Sequence, residues 1–351
     1  MEALSLTDRT APRAAGGDGA AGPAVRVAVA GATGYAGQQL LRLVARHPFA
    51  RLTAAMSSSA GGPPRTLPAL ARIWDGVVAP FSVAALAESA DVVFLALPEE
   101  AAAEVAPAVL DRGARVIDLS GAFRLRDAAE RARWYPATRA AAVEPVYGLT
   151  ERNRAALRDA RLVACPGCYP TAALLALAPL AEAGLLAGDI IIDAKSGVSG
   201  AGKKPTERTH FSECQGSVSA YGVFGHRHQP EIEQELGTRL TFVPHLVPLD
   251  RGILETIYAR LRNGVTEGAV QDVMASAYGD APFVRLRGDA LPEIKHVAHT
   301  NFCDIGWRVD AAGGRLVLVS VLDNLVKGAA GQAVQNFNVA LGYDERAGLL
   351  G

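Results

Sequence analysis

Ala24-Val-Arg-Val-Ala-Val-Ala30 runs without a break into Gly31-Ala-Thr-Gly34-Tyr-Ala-Gly37, and Gln38-Gln-Leu-Leu-Arg-Leu-Val-Ala-Arg-His47 follows. The first run is β-branched and apolar; the last has helical composition, with apolar residues at 40, 41, 43 and 44. Strand, glycine turn and helix in that order open a dinucleotide-binding sheet. The spacing is G-x-x-G-x-x-G rather than G-x-G-x-x-G, yet the mechanics survive. Backbone can approach a pyrophosphate, which rests on the helix N-terminus. Gly31, Thr33, Gly34, Tyr35, Ala36 and Gly37 are the cofactor-binding candidates of this turn.

About twenty residues past such a turn, an NAD-binding unit ends its second strand in Asp or Glu, which holds the ribose 2′-hydroxyl. Here the strand Arg51-Leu-Thr-Ala-Ala-Met56 runs into Ser57-Ser58-Ser59. No carboxylate is there to repel a 2′-phosphate, and Ser57 and Ser58 offer hydroxyls to it, so the expected cofactor is NADP(H), with Arg65 as an added charge. Two more strands are expected, over 91–97 and 114–119, with a helix over 99–111 between them. Such alternation builds a doubly wound parallel sheet, with ligands at the carboxyl ends of its strands. Arg124 stands just past one such end and is a candidate for an anionic substrate group. Residues 126–160 read as charged and irregular.

Beyond these units the texture changes. Asp189-Ile-Ile-Ile-Asp-Ala-Lys195 is a strand that leads into the glycine-rich loop Ser196-Gly-Val-Ser199-Gly200-Ala-Gly202. β-type runs at 240–247, 252–262, 283–287 and 315–322, with a helix near 267–278, predict an α+β second domain with a largely antiparallel sheet. A last helix runs from Lys327 to Gly342.

Between the two textures stands Cys165-Pro-Gly-Cys168-Tyr-Pro-Thr171, after the apolar run Leu162-Val-Ala164 and before a helix-forming, alanine-rich segment. A cysteine at a strand-to-helix turn faces unpaired N–H groups and the positive end of a helix dipole, which favour the reactive thiolate. Cys168 is the candidate nucleophile. Its proton carrier is sought in Gly225-His226-Arg-His228-Gln-Pro230-Glu231, where Pro230 suits a first helical turn and both histidines sit at the helix entrance. The C-x-x-C spacing also admits a disulfide oxidoreductase. Zinc is disfavoured, because no second close Cys or His pair accompanies the first. A cofactor-sensing protein without catalysis is the remaining reading.

The bulk numbers fit a two-domain protein: 351 residues, half of them hydrophobic, 35 basic against 36 acidic. No basic block suggests nucleic acid, and no apolar run approaches the ~20 residues of a membrane span. Four cysteines without a regular framework suggest a reducing cytoplasm. Residues 1–23 read as a disordered extension.

Taken together, Gly31–Gly37, Pro166–Thr171, Ser196–Gly202, His226-Arg-His228-x-Pro-Glu231 and Asp323-Asn-Leu-Val-Lys-Gly328 resemble the N-acetyl-gamma-glutamyl-phosphate reductases of arginine biosynthesis, within the wider aspartate-semialdehyde dehydrogenase group. The resemblance covers nearly everything from residue 25 onward. It implies that Cys168 is the nucleophile, that His226 or His228 is the acid/base, and that the cofactor is NADPH. It implies too that Asn324 lies near the nicotinamide and Arg124 near the substrate phosphate. Ser199 and Gly200 join the cofactor-binding candidates. The expected domains are 24–167 for NADP, 168–323 for catalysis and oligomerisation, and 324–351 as a helix returning to the first. By the same analogy the chain forms a homo-oligomer, dimer or tetramer. Cys165 departs from the family pattern, which bears on the redox behaviour of the turn. Aspartyl or carrier-linked aminoadipyl phosphates are alternative substrates.

Overall fold

In the computed structural model, residues 24–59, 61–310 and 312–350 are described; the extension expected over residues 1–23 lies outside them. Six strands form the first sheet: β1 (Val25–Ala30), β2 (Ala50–Met56), β3 (Val92–Leu95), β4 (Arg115–Asp118), β5 (Val146–Tyr147) and β6 (Leu162–Ala164). Their order is β2-β1-β3-β4-β6-β5, with every pairing parallel. β3 is buried along its whole length, as a strand covered by helices on both faces must be. The helix Tyr35–Val44 covers one face through Gly37, Leu40, Leu41 and Val44.

The second sheet holds β7 (Leu186–Gly197), β8 (Ser219–Ala220), β9 (Thr241–Val247), β10 (Ile253–Leu261), β11 (Val284–Gly288), β12 (Cys303–Asp310) and β13 (Arg315–Leu322). The order is β11-β12-β13-β10-β7-β9-β8. β7–β9 and β11–β12 pair in parallel and the other four pairings are antiparallel, so the sheet is mixed but mostly antiparallel.

The helix Cys168–Glu182 lies over this second sheet. It is apolar on all sides, and every residue from Tyr169 to Leu180 is buried. Burying Leu174, Leu175, Leu177 and Leu180 contributes roughly 1.5–3 kcal/mol each. That rigid packing fixes the position of its first residue, Cys168.

The last helix, Gly331–Ala340, is wholly buried and puts Ala333, Val334 and Phe337 into the core of the first sheet with Val27, Phe94 and Ile117. Several of its polar side chains make hydrogen bonds there, although Gln332 Oε1 has no partner among the described residues. Gln332 and Asn336 both donate to the Gly148 carbonyl, at 3.0 and 2.8 Å, and Asn338 binds His47 at 2.7 Å. The expected helix start at Lys327 is instead a wide turn, Val326–Ala330, with i→i+5 bonding.

The segment 126–160 is not irregular: it forms the helices Ala128–Trp134 and Thr150–Leu157 and the strand β5. Its charged side chains hide this in the sequence, because they serve tertiary contacts. Glu151 meets the buried Lys327 at 2.6 Å, and Arg154 meets Glu345 at 2.8 Å. β12 also escaped the sequence reading, since Asp304 and Gly306 interrupt its β-type composition while Cys303, Ile305 and Trp307 point into the core.

Candidate active site

β6 ends at Ala164, so Cys165, Pro166 and Gly167 turn the chain at the carboxyl edge of the parallel sheet before Cys168 opens its helix. The turn is clamped from several directions. The Cys165 N–H donates to the Asp118 carbonyl at 2.8 Å, and the Cys165 carbonyl accepts from Arg124 Nε at 2.8 Å. The Gly167 N–H donates to Glu231 Oε1 at 2.8 Å, and the Thr171 hydroxyl donates to the Gly167 carbonyl at 3.0 Å. From the other side Gly328 abuts the nucleophile, where a β-carbon would stand 2.7 Å from that of Cys168.

Glu231 is fully buried, and its Oε1 also accepts from the Tyr147 hydroxyl at 2.8 Å. Its Oε2 lies 3.5 Å from Arg124 Nη1. Burial raises the carboxyl pKa, while Arg124, the Gly167 N–H and Tyr147 pull it back. Arg124 is itself buried, with Nη2 donating to the Leu119 carbonyl at 2.8 Å. Sequence reasoning gave Glu231 no more than a favourable place in a first helical turn. The missed signal is its spacing: His228 and Glu231 are one turn apart, hence on one helix face. Tyr147 was hidden in the segment read as irregular.

His228 reaches the same turn. A β-carbon on Gly167 would stand 2.4 Å from His228 Nε2, so glycine is what lets the ring approach. Arg124 Nη1 lies 3.5 Å from that nitrogen. A guanidinium only donates, so Nε2 is the acceptor and the ring proton sits on Nδ1, which has no partner among the described residues. Burial drives the His228 pKa well below its ordinary value, reinforced by His226, Arg124 and Arg227. His226 supports its neighbour: its Nδ1 accepts the His228 backbone N–H at 3.1 Å, and its ring stands edge-on to Tyr169 and Tyr221. Burial and Arg227 push its pKa down to about 4. Both rings are neutral bases at pH 7.

The helix N-terminus is not the only influence on the Cys168 sulfur. Burial pushes the thiol up to about 11, although Arg124 and the Tyr169 N–H favour the anion. Desolvation between two domains outweighs the helix N-terminus. Cys165 and Cys168 are both free, and they occupy different cores. Cys165 belongs to the cluster of the first sheet, with Asn336 Nδ2 at 3.6 Å from its sulfur, while Cys168 packs on that of the second.

The glycine turn of the first domain divides by role. Gly31 has φ +79°, and a β-carbon there would meet the Ala96 carbonyl at 2.1 Å; one on Gly37 would meet the Gly31 carbonyl at 2.2 Å. These two are glycines for folding. At Gly34 the nearest atom is 3.5 Å away, so its face is open at the N-terminus of the Tyr35 helix. Thr33, Tyr35 and Ala36 line this partly exposed mouth. An anionic pyrophosphate fits such a cradle.

Ser57 is buried and its hydroxyl donates to the Ser59 carbonyl at 2.7 Å, so its proton is not free as expected; Ser58 and Arg65 are exposed. Across the cleft, Asn324 is buried and spans Gly252 N–H (2.8 Å) and Ser199 Oγ (3.0 Å), tying down the Ser199–Gly200 loop. The loop's Lys203 reaches the Thr33 carbonyl at 3.4 Å. A pocket of about 760 Å³ beyond it is lined by Gly200, Arg208, Tyr221, His226 and Arg227 among others. Among the described residues no group of three or more side chains could hold a metal ion, and no helix is long and apolar enough to cross a membrane.

Fold and site define the semialdehyde dehydrogenase class. Residues 26–160 match the model of its NAD binding domain, and residues 168–324 that of its dimerisation domain. Aspartate semialdehyde dehydrogenase II from Vibrio cholerae shares the fold, with a TM-score of 0.68 at 19% identity over 91% of this chain and 99% of that one. Within the class the relation is specific. N-acetyl-gamma-glutamyl-phosphate reductases from Geobacillus thermodenitrificans and Syntrophobacter fumaroxidans are 48% and 47% identical, over 93% of this chain and 98% of each relative. The chain belongs to the N-acetyl-gamma-glutamyl-phosphate reductase family and uses a nicotinamide dinucleotide.

Proposed function

We propose that the chain reduces N-acetyl-gamma-glutamyl phosphate to N-acetylglutamate semialdehyde and phosphate with NADPH, in arginine biosynthesis. The observation that carries the mechanism is the convergence of Cys168, His228 Nε2 and Arg124 on the turn at Gly167. As the Cys168 sulfur attacks the acyl carbon, His228 Nε2 takes the thiol proton and passes it to the departing phosphate, leaving a thioester on Cys168. When bound, the nicotinamide nucleotide supplies the hydride that converts this thioester to a thiohemiacetal. The thiohemiacetal forms as its anion; breaking its C–S bond frees the aldehyde and the Cys168 thiolate, and a proton drawn from solvent through His228 restores the thiol. Backbone N–H groups at the start of the Cys168 helix face the developing oxyanion; one such donor is worth on the order of 10²–10³ in rate.

His226 orients His228 in this reading, and Arg124 holds the substrate phosphate. Gly31 to Gly37, Ser58, Ser199, Gly200 and Asn324 surround the cofactor. The absence of a carboxylate at Ser57–Ser59 supports NADP over NAD. Residues 24–167 serve the cofactor, 168–323 catalysis and self-association, and 324–351 return to the first unit. The mostly antiparallel sheet leaves Ile191 and Tyr258 exposed on its outer face (42% and 44%), which supports a homo-oligomer.

The test runs the reaction backward with N-acetylglutamate semialdehyde and NADP, with and without phosphate. Sustained NADPH formation only with phosphate is expected. Steady turnover in phosphate-free buffer would mean that water resolves the thioester, and would sink the reductase assignment.

A further inference from the structure

Tyr135 follows the helix Ala128–Trp134 and is 2% exposed, yet its hydroxyl has no hydrogen-bond partner among the described residues. Leaving such a group unpaired is costly, so its location demands a reason. The phenol packs against the turn that follows β4. A β-carbon on Gly121 would stand 2.3 Å from the ring and 2.7 Å from the hydroxyl, so glycine is required for the ring to be there. Arg227, the residue between the two histidines, sits over the ring with its guanidinium 5.8 Å from the centroid. Three residues beyond Gly121 is Arg124, which touches His228.

The hydroxyl is thus close enough to the guanidinium groups of Arg124 and Arg227 for both to act on its charge. Each neighbouring carboxylate is already engaged, Glu99 by Arg227 at 2.7 Å and Glu231 by Gly167, Tyr147 and Arg124. What is missing is an acceptor for a lone O–H donor. Burial raises the phenol pKa to about 12, so it remains a donor through the neutral range.

We propose that Tyr135 is a substrate ligand, donating its hydroxyl to the phosphoryl group that Arg124 and Arg227 flank. The assignment rests on the acyl-phosphate reading above and adds a residue to it. The partner is a phosphate dianion, as the leaving group in one direction and as free phosphate in the other. No group among the described residues replaces it, which explains why a donor is kept unpaired in so dry a place.

Tyr135→Phe removes the hydroxyl and keeps the ring on Gly121. In the backward assay the KM for phosphate should rise about 10- to 100-fold, the range for losing one hydrogen bond to a charged group. The KM values for aldehyde and NADP should stay unchanged, and thermal stability should be equal or slightly higher. Calorimetric titration of inorganic phosphate into the NADP-bound enzyme provides a second reading, independent of turnover, and should show the same weakening. A wild-type phosphate affinity in Tyr135→Phe overturns the assignment. If the wild-type enzyme itself shows neither phosphate dependence nor phosphate binding, the acyl-phosphate reading falls first and the assignment with it. A loss of stability with unchanged phosphate affinity would mark Tyr135 as structural and overturn it too.

Discussion

Replacing Glu231 by Gln tests whether the clamp on the nucleophile's turn is electrostatic. The change keeps one amide oxygen to accept from Gly167 and Tyr147, both now at 2.8 Å, but removes the charge that faces Arg124 at 3.5 Å. Breaking a buried ion pair by removing one partner costs about 3–5 kcal/mol. The low end applies, about 3 kcal/mol, because Arg124 keeps its bonds to the Cys165 and Leu119 carbonyls at 2.8 Å each. Urea unfolding of the wild type, Glu231→Gln, Arg124→Met and the double variant forms a cycle. The coupling should be about 2 kcal/mol, since neither group retains its partner in either single variant. Loosening of the Gly167 turn should lower kcat by about 10- to 100-fold in Glu231→Gln with little change in KM. Additivity within about 0.5 kcal/mol, together with wild-type kcat, would refute the clamp.

Gly328→Ala puts a methyl 2.7 Å from the Cys168 β-carbon and should cost about 1–3 kcal/mol with a severe loss of kcat; normal turnover at normal stability would contradict the packing. Cys168→Ser should abolish turnover while cofactor binding persists, and Cys165→Ser should remain active; equal total loss in both would revive the disulfide reading. Alkylation of Cys168 by iodoacetamide in the free enzyme should accelerate with pH toward about 11, and a plateau by pH 8 would contradict a buried resting thiol. Glu255 is fully buried with neither carboxylate oxygen partnered among the described residues, and burial raises its pKa well above normal. Above the unfolded pKa the unfolded chain ionises and the native protein does not, so stability falls as pH rises, on the order of 1 kcal/mol per pH unit at most. Glu255→Gln should therefore gain stability relative to wild type between pH 5 and 8, and a pH-independent difference would rule this out.

The parts legible in the sequence are those governed by local periodicity and backbone need. The strand expected over Ala24–Ala30 is found at Val25–Ala30, Leu162–Ala164 is β6, and Gly31 and Gly37 are glycines because backbone lies where their side chains would be. What escaped was decided by distant partners. Glu151 reads as a surface charge until Lys327 closes on it from the far end of the chain. Arg124 is recognisable as a cation near a strand end, but nothing local says that two carbonyls and a carboxylate hold it. The serines after β2 show the converse limit: absence of a carboxylate is visible in sequence, whereas the Ser57 proton's engagement with Ser59 is a matter of turn geometry.

Desolvation of Cys168 bears on how the site works. The helix N-terminus favours the ionised sulfur, but burial pushes its pKa up to about 11, which leaves little thiolate at pH 7. Reactivity then depends on a base brought against the turn, and His228, neutral with its acceptor nitrogen turned toward Gly167, has that form. The same burial that suppresses the thiolate suppresses the imidazolium, so proton transfer between them is unfavourable until something stabilises the charges formed. An arriving phosphoryl group supplies that stabilisation, because its negative charge favours the protonated histidine and then receives its proton. In the proposed mechanism nucleophile and base are thereby coupled to the presence of the leaving group.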